Sequence, residues 1–398
     1  MTDLAKRPRL LVLSTTYPRW RDDHEPGFVH ELARRLTDRF DVVAIVPHAE
    51  GALRREVLDG VTVFRYRYAL ERWETLVQDG GITTHLRRSP WKWLLVPGFF
   101  AMQWFSARSA LVAGTVVHAH WIVLPGIVAR LLRKRYLVTS HGADLFALRG
   151  KLAVRLKRWV MQRADATTVV SRAMLPMATE LSAGKLPVVA PMGVDLSVRF
   201  TPDPAILRET DRIVFVGRLV EKKGLDVLLR AMPAVLAERP HAHLCIVGHG
   251  PLLETLTGLV RHLDIGHAVT FVGPVPSMAL PEHYQRASLF VAPFRPASSG
   301  DQEGLGLVLV EALGCGCPVV TTDVDAVSDV LEGMSGVVQV PSGDERALSS
   351  AIIASLQDQT VVEAVASTRS ILVDRFDWNH VARRYGDILS GLLDDQGN

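Results

Sequence analysis

The 398-residue chain contains only three cysteines, Cys245, Cys315 and Cys317. That is too few for a disulfide framework, and the Cys-x-Cys pair has no further ligands nearby at metal-binding spacing, so no metal site is expected. Long apolar runs are missing as well. The best membrane-span candidate, residues 93–107, is fifteen uncharged residues broken by Pro97 and Gly98, short of the roughly 20 that a spanning helix needs. The first apolar run, residues 10–13, reads as a short buried strand and not as a secretory leader. Low-complexity segments and short-period repeats are also lacking. Charge is nearly balanced, with 45 Lys and Arg against 42 Asp and Glu, which gives no argument for nucleic acid as a partner. These absences leave a cytoplasmic, reducing setting as the expectation.

What remains is ordinary globular composition, 48% hydrophobic and 22% charged, at a length that suits two domains. Short apolar runs at 10–13, 42–46, 61–64, 116–118, 136–138, 167–170 and 188–189 alternate with helical patterns. The rhythm restarts at 213–216, 244–247, 269–271, 289–291, 319–320 and 337–338. Such alternation predicts an α/β fold with parallel sheets covered on both faces. Between the sets, DLSVRFTPDPAILRETD carries two prolines and few periodic apolar positions, and reads as a linker. The expected division is therefore 1–197 for an N-terminal domain and 205–374 for a C-terminal one. Apolar Val381, Tyr385, Ile388, Leu389 and Leu392 at helical spacing place a closing helix in 375–398.

Two motifs carry chemistry. Glu303 and Glu311 stand eight positions apart in GDQEGLGLVLVEALG. If a helix begins near Gly304, Leu305 and Gly306, its N–H groups and positive dipole end suit an anion, while the two carboxylates reach about 12 Å along one element. That span suits a nucleotide sugar, with Glu303 at the sugar hydroxyls and Glu311 near a ribose. In RIVFVGRLVEKKGLDVLLRAM, a buried strand exits at Gly217 into a turn holding Arg218 and Lys223. A forked cation and a point cation there suit a diphosphate, although a solvated basic turn has the same sequence. Asp323 and Asp325 form a superficial D-x-D after the strand at 319–322; a divalent metal is not expected there.

Together these stretches resemble the family-4 glycosyltransferases, whose hallmarks are the G-R-x4-K-G turn, here Gly217, Arg218, Lys223 and Gly224, and the E-x7-E element, here Glu303 and Glu311. The resemblance extends through LLVLSTTYPRWRDDHEPGFVHELARRL, VVHAHW, the SHGAD at 140–144, and QRADATTVVS leading to APMGVDL. It implies a GT-B fold, two doubly wound Rossmann-like domains facing across a cleft, with the closing helix packing back on the first. It also implies a retaining, metal-independent transfer of a hexosyl group from a UDP- or GDP-sugar, with no cofactor. By the same resemblance His141 contacts the donor sugar, and the Gly248 loop lies near the nucleotide. Backbone around Val275 reads the base. Asp144 is an acceptor-side or orienting carboxylate. His120 packs and orients a loop or approaches the acceptor. Gly27, before a helix, offers close backbone approach to phosphate, although it stands alone where related sequences carry two adjacent glycines.

The acceptor is expected to be a glycan or a lipid-linked one. Trp91, Trp93, Phe99, Phe100, Trp104 and Phe105 beside Arg87, Arg88 and Lys92 suit either a peripheral contact with an anionic membrane, at the inner face of the plasma membrane, or the core packing of a helix. Competing readings are a nucleotide-sugar epimerase or hydrolase of the same architecture, and a catalytically silent nucleotide-sugar-binding subunit.

Overall fold

The computed structural model describes residues 7–394 apart from 22, 24–26, 78–81, 83–84, 87–88, 148 and 359. Arg87 and Arg88 lie outside the described residues. The chain forms two compact units, Met1–Met192 with Val381–Asn398, and Gly193–His380.

The first unit is built on an eight-stranded sheet. Its strands are β1 (Arg9–Leu13), β2 (Asp41–Pro47), β3 (Arg55–Leu58), β4 (Val61–Tyr66), β5 (Val116–His120), β6 (Tyr136–Ser140), β7 (Ala166–Val169) and β8 (Val188–Val189). They lie in the order β3-β4-β2-β1-β5-β6-β7-β8, parallel except for the β3–β4 hairpin. The central strands are buried on both faces, which is why they read as unbroken apolar runs. Strand β3 gave no such signal, because an antiparallel edge strand leaves Val57 exposed.

The second unit holds six parallel strands: β9 (Glu209–Val216), β10 (His243–Val247), β11 (Val269–Gly273), β12 (Ala287–Ala292), β13 (Val319–Thr322) and β14 (Val337–Val340). Their order is β11-β10-β9-β12-β13-β14. Helices Leu225–Glu238 and Glu345–Gln357 bury Leu228, Met232, Leu348 and Ile352 with Phe215 and Ile246 of the sheet in one core.

In both sheets the order reverses beside the first strand, between β1 and β5 and between β9 and β12. At such a switch point the loops leaving two adjacent strands part in opposite directions and open a crevice at the strand ends. In the second unit those loops are residues 217–224 after β9 and 293–306 after β12, the two motif-bearing segments.

The units divide at Met192/Gly193, a few residues before the end at 197 expected from composition. The cause is local packing. Leu196 and Phe200 are buried against Gly314, and the Arg369 guanidinium donates to the carbonyls of Leu196 (2.6 Å) and Gly314 (3.1 Å). The final helix, Trp378–Asp394, counts with the first unit from Val381 on. There the Tyr385 hydroxyl donates to Ala190 O (2.8 Å), and Arg39 pairs with Asp387 at 2.7 Å.

The aromatic segment is partly buried and partly exposed. Helix Val96–Ser109 buries Phe99 against Tyr66 and Tyr68, whereas Trp91, Trp93, Leu94, Met102 and Phe105 are exposed. Among the described residues no helix is long and apolar enough to cross a membrane.

Candidate functional site

In the second unit the loops leaving β9 and β10 touch backbone to backbone. A Cβ on Gly248, whose φ is +136°, would lie 2.0 Å from Gly217 O, and Gly248 N donates to Gly273 O at 2.9 Å. Glycine at 248 therefore has a packing reason of its own. Arg218 is half-buried on the turn that follows, which closes through Val220 N donating to Arg218 O (2.9 Å). Val275 is half-buried in the loop between β11 and helix Leu280–Arg286.

Three successive residues of the β9 turn then grip the β12 loop. The Glu221 carboxylate accepts from Ser298 N and Oγ, both at 2.9 Å. Lys222 Nζ reaches Asp301 Oδ1 at 3.3 Å, and Lys223 Nζ reaches Glu303 Oε2 at 2.8 Å. Lys223 also sits 4.7 Å from the centre of the Phe294 ring. Only Gly224 can end this turn. Its φ is +66°, and a Cβ there would fall 1.8 Å from Pro293 O.

Glu303 is not part of a helix shared with Glu311. The helix is Leu307–Gly314, with Gly306 as its N-cap at φ +77°, so it begins just after the expected glycines. Glu303 precedes it in the loop and folds back to accept from Gly306 N (3.2 Å). Burial pushes this carboxyl up, but Lys223 and Lys222, with the bonds from Lys223 and Gly306 N, reverse that and hold it at about 2. Glu303 is thus a fixed carboxylate between two donors. Glu311, in the helix, accepts from the Tyr284 hydroxyl at 2.9 Å, and burial raises its carboxyl to about 7 against the pull of that bond, Arg199 and Lys223. Sequence spacing gave no hint of Tyr284, which lies on helix Leu280–Arg286. Gly304, Leu305 and Gly306 are all buried beside the two carboxylates.

In the first unit, His118 and His120 end β5, and His141 follows the neighbouring β6. His120 Nδ1 lies 3.0 Å from His141 Nε2, and His118 Nε2 lies 2.8 Å from Thr139 Oγ1. Burial lowers His118 and His141 to about 3, and His120 well below its ordinary value. All three rings are therefore neutral at physiological pH. His120 is 1% exposed, packed between the His118 and His141 rings.

Asp144 follows His141 closely, in helix Ala143–Phe146. It is 8% exposed, and its carboxylate accepts from Ile122 N (2.7 Å), Ser140 Oγ (2.8 Å) and His141 N (3.1 Å), tying the β5 and β6 loops together. Phe28 and Trp121, not anticipated from sequence, each place a ring centre 4.9 Å from that of His141. Gly27 precedes helix Phe28–Arg35 with an ordinary φ of −87°, and a Cβ there would meet only Pro18 Cγ, at 3.7 Å.

Asp323 Oδ1 accepts from Ser342 N (2.9 Å), and Asp325 starts helix Asp325–Leu331. Among the described residues no group of three or more His, Cys, Asp or Glu is arranged to hold a metal ion.

Residues 28–198 match the family described as Glycosyltransferase Family 4, and residues 210–358 match Glycosyl transferases group 1. Among curated proteins, the chain is 33% identical over 301 residues to a GDP-mannose-dependent alpha-(1-6)-phosphatidylinositol monomannoside mannosyltransferase of Mycolicibacterium smegmatis, covering 72% of this chain and 76% of that one. Among solved structures, a sucrose-phosphate synthase of Thermosynechococcus elongatus superposes with a TM-score of 0.77 at 22% identity, over 98% of this chain and 100% of the other. Anabaena HepE, solved with UDP and glucose, gives 0.71 at 17% identity over 97% and 100%. These likenesses carry the GT-B fold of paired parallel-sheet units. With both motifs in place at the switch point of the second sheet, the chain belongs to the family-4 glycosyltransferases.

Proposed function

We propose that this glycosyltransferase moves a hexosyl group, with retention and without a metal ion, from a nucleotide diphosphate sugar to a glycan or lipid-linked acceptor. The observation that carries the donor side is the 2.8 Å pair of Lys223 with Glu303, which joins the two sequence motifs in one place. Transfer from such a donor builds negative charge on the departing diphosphate, and a fixed cation there stabilises it most in the transition state. Arg218 and Lys223 supply that charge in this reading, Glu303 accepts from sugar hydroxyls, and Glu311 accepts from the ribose. GDP-mannose is the first donor to try, because the M. smegmatis relative is named for its use. Retention rests on family membership, with the leaving phosphate oxygen taking the acceptor proton on the same face. The test is a thermal-shift panel of GDP, UDP, ADP and their sugar conjugates in EDTA, followed by NMR of the product's anomeric centre. Selective stabilisation by one base and a product of the donor's anomeric configuration are the expected results. A requirement for divalent metal, or an inverted product, overturns the respective part.

The lipid-linked acceptor is supported by the exposed side chains of Trp91, Trp93, Leu94 and Phe105. Beside them, Lys92 Nζ donates to Thr75 O at 3.0 Å. Burying an aromatic of this size in an interface contributes roughly 1.5–3 kcal/mol. Trp93→Ser is therefore expected to weaken co-sedimentation with anionic phospholipid vesicles about tenfold or more, and wild type that stays in the supernatant removes the membrane contact.

A further inference from the structure

His118 and His120 are two apart on β5, which puts both side chains on one face of the sheet. Their ring centres are 4.1 Å apart. His118 is anchored beneath, by Thr139 Oγ1, which itself meets Thr168 Oγ1 at 2.6 Å, and by the Tyr385 ring at 5.5 Å. His120 and His141 lie nearly in one plane, 10° apart with centres at 5.3 Å, and so meet edge to edge through the Nδ1 to Nε2 contact.

A neutral imidazole has one donor nitrogen and one acceptor nitrogen. Two of them in direct contact must take opposite parts, so the state of His120 Nδ1 dictates that of His141 Nε2, and through it that of His141 Nδ1. Trp121, next in sequence to His120, adopts φ +77° without being glycine. Such backbone costs about 1–3 kcal/mol and persists where its surroundings over-determine it. Here it places the Trp121 ring against His141.

We propose that His120 is a positioning residue for sugar transfer, fixing the His141 imidazole in one tautomer and one plane through the Nδ1 to Nε2 hydrogen bond. This rests on the reading of His141 as a donor-facing group. His120 is enclosed between two other imidazoles and acts only through His141. An apolar replacement leaves Nε2 of His141 without its partner and the ring free to exchange tautomers. Asparagine keeps the bond, because its side-chain amide offers a donor and an acceptor near the place of Nδ1.

The test uses the full chain labelled with ¹⁵N-histidine, as wild type, His120→Ala and His120→Asn. Wild type should show His141 ring nitrogens at the shifts of a single neutral tautomer. In His120→Ala they should move toward the average of two tautomers. The kcat for transfer should fall by up to about 100-fold, the scale of a misplaced reacting group, with the donor KM little changed. His120→Asn should restore both readouts. Unchanged His141 shifts in His120→Ala overturn the proposal, and so does an equal loss of kcat in both variants with the tautomer intact. The NMR readout needs no turnover, so it decides the positioning even if the donor reading fails.

Discussion

Lys223→Ala is expected to lower kcat/KM for sugar transfer by about 10²- to 10³-fold, the cost of removing one fixed group from a developing anion. Two effects combine. In the proposed donor site, the diphosphate loses a point charge that Arg218 cannot replace in kind. Glu303 loses the partner that holds its carboxyl at about 2, and burial, the largest influence on it, is then opposed mainly by Lys222. The same residue sets a pH signature. The Glu303 carboxyl titrates below its ordinary value in the folded protein, so the pair stabilises the fold above about pH 4.5, and that contribution is lost as pH falls toward 2. A displacement of this size corresponds to roughly 3 kcal/mol. Acid unfolding should therefore be less steep between those values in Lys223→Ala than in wild type. Adding Glu303→Gln should recover stability at neutral pH, because it removes the unpaired buried charge, without recovering turnover. Steady-state kinetics and acid titrations of wild type and the two variants check all of this. Full activity in the single variant would dismiss Lys223 from the donor site.

Gly224→Ala is expected to destabilise the second unit by more than about 3 kcal/mol. Its φ of +66° alone is costly for alanine, and the added methyl would lie 1.8 Å from a backbone carbonyl, that of Pro293. No rotation of a flexible side chain can relieve such a clash. Either the β9 turn or the β12 loop must move, and both carry the sequence motifs of the proposed donor site. Gly27→Ala is the contrast. With ordinary φ and its nearest neighbour at 3.7 Å, it should change stability by less than about 0.5 kcal/mol. Hydrogen exchange of the β9 and β12 amides reads the first effect locally, which matters because two units need not unfold together. Wild-type protection in Gly224→Ala would mean that the loops yield easily.

Strands that are buried on both faces were legible in the sequence, because continuous apolar runs are what that environment selects. Motif residues were legible where spacing brackets a turn, as Arg218 and Lys223 do. Glu303 was expected just before the helix that carries Glu311, and that helix begins at Leu307, a little later than the glycines suggested. Gly306 at positive φ breaks the element between them, and an eight-residue spacing looks the same with or without that break. Tyr284 under Glu311, and Phe28 and Trp121 around His141, were invisible because each comes from a different loop or helix and meets its partner only through tertiary packing. The division at Met192 was displaced for a similar reason. Leu196 and Phe200 look like isolated apolar residues of a linker, yet both are buried in the second unit.

The grip of residues 221–223 on Ser298, Asp301 and Glu303 makes the length of the intervening segment a constraint in its own right. Deleting one residue between Ser298 and Glu303 would alter neither motif, but would break the register of all three contacts at once. Surface loops usually drift in length between homologues more freely than the elements they connect; this one should vary in composition while keeping its count. Anyone exchanging sugar preference between relatives by loop transplantation would then have to move 221–223 and 298–303 together, as a single cassette.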